Sequence, residues 1–249
     1  MGKLDGKVAL VTGSGRNIGR ATVLKLAAEG ASVVVNSRSN QAEADAVARE
    51  AQALGVKALS VLADVSKQEQ VDSMVARALS EFGQIDILIN NAAIRPHKPF
   101  TEVTVKDWEA VRGVVLDGAF YCTRAVIESM VAHTYGRILF FTGEGAFTGG
   151  SGRAHVSAAK MGLVGMARAL ASEFAPHNIR VNVVSPGSID TSRANPEWYQ
   201  GRVPTAGGIP LGRQGTVDEI AATCLFLVSD DGGFITGQTI HVNGGAVYH

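Results

Sequence analysis

Short apolar runs and amphipathic stretches alternate along this chain from one end to the other. "KVALVT" (7–12) is a compact apolar run, and "RATVLKLAAEG" after it carries helical spacing up to Gly30. "SVVVN" (32–36) is followed by the charged, Ala-rich "QAEADAVAREAQALG". "VKALSVLADV" (56–65) and "IDILIN" (85–90) repeat the pattern, separated by a helix expected to end near Phe82. "GRILFFTG" (136–143), "IRVNVVSPG" (179–187) and "QTIHVNGG" (238–245) complete the strand candidates. Apolar runs without polar alternation suit strands buried on both faces, and strands joined through helices make βαβ units. The pattern therefore predicts an α/β domain, a parallel sheet with helices on both faces. Residues 1–249 read as a single domain without repeats or linkers. The least regular stretch, 188–215, is rich in Gly, Pro and Arg and reads as a substrate loop.

Composition narrows the function classes. The chain is 46 % hydrophobic and 18 % charged, with a formal net charge of zero at pH 7. It has no basic stripe with interleaved aromatics, which argues against a nucleic-acid partner. No run approaches the ~18 apolar residues of a membrane span, and no metal site is expected. The start, "MGKLDGKVALVTG", runs directly into a strand without the pattern of a secretory signal. Cys122 and Cys224 read as buried thiols in a reducing compartment, so a cytoplasmic location is expected.

Candidate chemistry begins at "VTGSGRNIGRA", between the first strand and the first helix. Gly13, Gly15 and Gly19 let the backbone turn tightly and approach a pyrophosphate at a helix N-terminus. The end of the second strand reads "VVVNSRS", with Ser37 where an acid would bind both ribose hydroxyls. Arg38 follows, and Arg16 lies in the glycine turn. Two guanidiniums suit a 2′-phosphate, so NADP(H) is favoured, with NAD(H) as the alternative.

"TGSGRNIG", "NNAA" after "ILI", Lys160 with its helix, "SPGSIDT" and "ITGQTIHVNGG" together resemble the short-chain dehydrogenase/reductase family, including its 3-oxoacyl-ACP-reductase-like members. The resemblance runs in order from about residue 5 to 245. It implies one doubly wound, Rossmann-like domain with a seven-stranded parallel sheet, a nicotinamide dinucleotide, and a homodimer or homotetramer. It implies nucleotide contacts at Gly13, Gly15, Arg16, Asn17, Ile18 and Gly19, and at Ser37, Arg38, Asp64, Val65, Asn90 and Ala92. Lys160, Pro186, Gly187, Ile189 and Thr191 belong to the same implied set. Asn17 stands where the family has a glycine; asparagine tolerates positive φ better than most residues. Ala93 adds a methyl where the family ends "NNAG".

The resemblance also implies an asparagine, a serine and a tyrosine working with the lysine. Counting from Lys160 puts Val156 at the tyrosine position and Gly143 at the serine position. Val115, seven after Trp108, stands for the asparagine. Lys160, His155, Glu144 and Thr142 are left as candidate catalytic groups, with Ser157, Arg95, His97, Trp198 and Tyr199 nearby. The expected activity is hydride transfer between NADP(H) and a small carbonyl, alcohol or enone, with a relocated or absent proton donor. Two other readings stay open: a lyase or isomerase holding nucleotide structurally, and a non-catalytic nucleotide-binding subunit. The Lys160 helix, expected to start near Ser157, carries Ala159, Leu163 and Leu170 on the Val156 face. Met161, Val164 and Gly165 lie elsewhere, which predicts a partner helix and a homo-oligomer.

Overall fold

The computed structural model describes residues 2–191 and 207–248. Seven parallel strands form one sheet in the order β3-β2-β1-β4-β5-β6-β7. They are β1 (Val8–Val11), β2 (Ser32–Ser37), β3 (Ala58–Leu62), β4 (Ile87–Asn90), β5 (Gly136–Phe141), β6 (Ile179–Pro186) and β7 (Thr239–Val242). Every residue of β1, β4 and β5 is buried, as unbroken apolar runs require.

Two apolar cores lie on opposite faces of the sheet. One joins α1 (Asn17–Ala28), α2 (Gln41–Ala53) and α8 (Val217–Val228) through Val23, Leu26, Val47, Ile220 and Cys224. Within it α1 packs directly on α8. The other joins α3 (Gln68–Phe82), α4 (Val105–Arg112), α5 (Gly118–Ala132) and α7 (Ala154–Phe174) through Met74, Val111, Val126 and Leu163. A short α6 (Glu144–Thr148) follows β5. Capping fixes several starts: Asn40 accepts from the Glu43 N–H, and Thr104 and Thr216 form capping boxes with Asp107 and Glu219.

Some local features depart from the sequence expectations. α7 begins at Ala154, a turn before Ser157, and Val164 is 2 % exposed, packed in the same core as Leu163. The second face of α7 thus reduces to Met161 and Gly165. Gly113–Asp117 form a π-helical turn between α4 and α5. Cys122 and Cys224 are buried free thiols. No helix among the described residues is long and apolar enough to cross a membrane.

Candidate functional site

Strand order reverses between β1 and β4, and a crevice opens beyond the carboxyl ends of the strands at such a point. A cleft of about 830 Å³ lies there. Its first wall is the glycine turn, where Gly13 has φ +61° and Asn17 φ 49°. A β-carbon on Gly13 would sit 3.0 Å from Ala92 Cα, and one on Gly19 would sit 2.5 Å from the Gly13 carbonyl oxygen. Close backbone approach therefore requires both glycines, and Gly13 is required by its positive φ as well. Arg16, at the N-cap of α1, offers no side-chain cap. The first N–H groups of α1 thus open onto the cleft floor, an arrangement suited to a pyrophosphate.

Buried amides hold this wall in place. Asn36 accepts the Gly13 N–H at 3.1 Å and donates to the Ala63 carbonyl at 3.1 Å. Asn91 donates to the carbonyls of Thr12 and Gly13 at 2.9 and 3.0 Å. The Asp64 carboxylate accepts from the Ser66 N–H and hydroxyl at 3.0 and 2.7 Å. Asn36 was recognisable as an amide inside an apolar strand; Asn91 had no comparable signal beyond its neighbour.

Most expected nucleotide positions line this one cleft: Gly13, Gly15, Arg16, Asn17, Ile18, Gly19, Ser37, Arg38, Asp64, Val65 and Ala92. Lys160, Pro186, Gly187, Ile189 and Thr191 line it too. Asn90 does not. Its side chain points into the core and donates to the Thr123 hydroxyl at 3.4 Å, leaving Asn91 on the cleft. Strand alternation explains the exchange, because successive side chains face opposite ways. Glu43, within the charged, Ala-rich stretch of α2, lines the cleft beside Gly15.

The far half of the cleft holds the other candidates. Val156 and Lys160 stand one turn apart on α7 and both line it. Lys160 is buried and donates from Nζ to the Phe141 carbonyl at 2.5 Å. Burial, with the Arg95 guanidinium as a lesser cause, pushes its amine down to about 7. Gly143, with φ 165°, has extended backbone, and a β-carbon there would meet only the Pro186 carbonyl oxygen, at 3.7 Å. Thr142 lines the cleft and its hydroxyl donates to the Val184 carbonyl at 3.4 Å. Glu144 lines it next to Gly187; its Oε2 is buried without a hydrogen-bond partner, and burial raises its carboxyl above the usual range.

Three of the residues singled out in the sequence lie off this half of the cleft. His155 is 2 % exposed and absent from the cleft wall; its charged neighbours are Asp107, Arg153, Lys98 and His97, and burial lowers its imidazole. It shares a helix with Lys160 but lies on another face, five residues away. Val115 is 2 % exposed within the core, and Val114 reaches the cleft instead. His97 does not line the cleft, whereas Arg95 and Ser157 do. Trp198 and Tyr199 lie outside the described residues.

Residues 13–247 match the family described as "Enoyl-(Acyl carrier protein) reductase". A 3-oxoacyl-[acyl-carrier-protein] reductase of Synechocystis is 41 % identical, over 99 % of both chains. A (2S)-[(R)-hydroxy(phenyl)methyl]succinyl-CoA dehydrogenase subunit of Thauera aromatica is 39 % identical, over 97 % of both. Among solved structures, an NAD+-bound xylitol dehydrogenase superposes with a TM-score of 0.90 at 31 % identity, covering 98 % of this chain and 100 % of that one.

Proposed function

This chain belongs to the short-chain dehydrogenase/reductase family of oxidoreductases, and we propose that it transfers hydride between NADP(H) and a small carbonyl, alcohol or enone with Glu144 as its proton donor. The observation that carries the reading is one cleft that brings the glycine turn, the start of α1, Lys160 and Glu144 together. There Val156 and Gly143 offer no acid, and the Glu144 carboxyl faces the same space. When bound, the nucleotide supplies the hydride. The glycine turn and the α1 N-terminus hold its pyrophosphate, Lys160 a ribose, and Ile189 and Thr191 the amide end. Thr142 keeps its hydroxyl on a backbone carbonyl, so it shapes the wall. Glu144 Oε2, buried and without a hydrogen-bond partner, is placed to deliver a proton, when the carboxyl carries one, to a developing alkoxide or enolate.

Burial raises the Glu144 carboxyl, so the acid form persists further up the pH scale than for an exposed glutamate. Reduction should be fastest at low pH and fall as pH rises through that raised value. Glu144→Gln should lower kcat about 10²-fold and flatten the profile, measured with NADPH against carbonyl and enone substrates. An unchanged profile in the variant removes Glu144 from the mechanism.

Arg16, Arg38 and the capped start of α2, with Ser39 and Asn40, surround one corner of the cleft. These support a 2′-phosphate, with Glu43 opposing them. Arg38→Asp should weaken NADPH at least tenfold while sparing NADH, by calorimetric titration. Equal parent affinity for both nucleotides defeats the preference.

Exposed Trp108, Phe120 and Met161, on α4, α5 and α7, support a homo-oligomer. Light scattering should read a multiple of the 26.0 kDa protomer, and a monomer at micromolar concentration counts against it. A second reading, a nucleotide-binding subunit without chemistry, draws on the same Val156 and Gly143. The Thauera relative, named as a dehydrogenase subunit, also favours it.

A further inference from the structure

One face of the β6–β7 pair carries polar side chains where the rest of the sheet is apolar. The two strands pair in register, with Ser185 beside His241 and Val183 beside Thr239. Alternation puts Ser185, His241 and Thr239 on the face that Val181 and Val183 turn towards α7. Residues in register stand about 5 Å apart, and those two apart along a strand about 7 Å. Glu144 closes one end of this file. Its Oε2 lies 2.9 Å from where a β-carbon on Gly187 would stand, and Gly187 is two residues past Ser185. The other end reaches the surface: Thr239 lines a hollow of about 620 Å³ with Arg168, Ser172 and Gln238. Phe147 covers the middle, its ring edge-on to His241 at 4.7 Å between centroids. Glu144 Oε2, Ser185 Oγ and Thr239 Oγ1 are buried without a hydrogen-bond partner among the described residues. Buried polar atoms that no protein group reaches take ordered water. Ser185 is 0 % exposed, and a hydroxyl there costs free energy where alanine would pack as well. Ser185, His241 and Thr239 do not line the cleft, so nucleotide binding does not account for them.

Resting on the reading of Glu144 as proton donor, we infer that Thr239, His241 and Ser185, joined by ordered water, carry protons from the surface hollow to Glu144. In reduction the hydride goes from the nucleotide to the carbonyl carbon. Glu144 gives its proton to the carbonyl oxygen and is left as a carboxylate. A solvent proton then enters at the hollow. The His241 imidazole takes a proton on one ring nitrogen and releases one from the other, and the Ser185 hydroxyl gives one as it accepts another. The last proton transfer restores the Glu144 carboxyl. The sum consumes NADPH, a solvent proton and the carbonyl, and yields NADP+ and the alcohol. Because the route reaches the carboxyl from the sheet, it does not wait for the cleft to empty.

The test is steady-state reduction of ethyl acetoacetate and cyclohexenone by NADPH, in light and in heavy water, with a high-resolution crystal structure of the full chain. Ser185→Ala, Thr239→Val and His241→Gln should each lower kcat about tenfold, less than the loss in Glu144→Gln, and leave KM and NADPH affinity unchanged. Ser185→Ala and Thr239→Val remove a hydroxyl and keep the shape, so neither endangers the fold. The solvent isotope effect on kcat should rise in each variant. Added imidazole should restore part of the rate of His241→Ala. A packing defect produces neither effect. The crystal structure should show ordered water between Thr239, His241, Ser185 and Glu144. A dry file overturns the inference. So do Ser185→Ala and His241→Gln at the parent rate while Glu144→Gln is slow, or rate losses with an unchanged isotope effect and no rescue. A parent inert towards both probes, or a Glu144→Gln variant as fast as the parent, sinks the donor reading and the relay with it.

Discussion

Val156→Tyr combined with Gly143→Ser should give this protein NADPH-dependent reduction of simple neutral ketones, at about 10²-fold above the parent. Both positions face the cleft, and both accept the change. Extended backbone at Gly143 suits any residue, and a serine β-carbon there keeps ordinary contact distance. Val156 stands one turn before Lys160, so a phenol at this position has an amine beside it. The protonated amine favours phenolate and lowers the phenol into working range. Because Lys160 is pushed down to about 7, that help fades above neutrality, and the gain should shrink as pH rises past 7. Val115→Asn has no part in the design: it would place an amide in the core, away from the cleft, at about 1–3 kcal/mol. Steady-state rates on a methyl-ketone series decide the matter. A parent already fast on such ketones, or a folded, NADPH-binding double variant with no gain, would show that the reaction centre lies elsewhere.

Lys160→Met should move stability and nucleotide affinity in opposite directions. The amine is buried, and its folded-state pKa of about 7 lies below the unfolded value of 10.5. Between these values the unfolded chain binds more protons, so the parent gains stability as pH rises from about 7 to 10.5. Below about 7 the cost of the buried charge is present in full. Methionine removes that cost, which should stabilise the apoprotein by up to about 4 kcal/mol at pH 6 and progressively less towards pH 10. The loss of a charged donor in the cleft should weaken NADPH binding about 10- to 100-fold. Denaturant titrations at both pH values and nucleotide calorimetry read the two effects. A variant less stable than the parent at pH 6 would mean that water reaches the amine.

The sheet was legible because buried parallel strands have no polar alternation: "KVALVT", "ILIN" and "ILFF" permit little else. The glycine turn was equally plain, and Asn17 takes the positive φ expected of it. Side-chain direction was less accessible. Asn90 and Asn91 are neighbours of one type, and only the pleat decides which meets the cleft. His155 and Val156 pose the same problem on a helix, where one residue of offset turns a side chain by about 100°. The π turn Gly113–Asp117 was not legible either; there Val114 lines the cleft and Val115 lies in the core. Arg95 was legible from its place after the fourth strand, whereas Glu43 reaches the cleft from the second helix and no local pattern announces it.

The packing of α1 on α8 has a consequence for how the molecule comes into being. The helix that ends the glycine turn has its apolar side, Val23 and Leu26, covered by residues almost two hundred positions later. A growing chain can pair β1 with β2 early and lay α1 against them and α2, yet α1 gains its full cover only when α8 has been made. The dinucleotide wall is therefore completed among the last contacts, and a nascent chain passes through a period with that surface bare. Such long-range closure slows folding and exposes apolar surface to other chains. A ligand of the finished wall would then act late, locking an assembled molecule and giving no help to the partly made one.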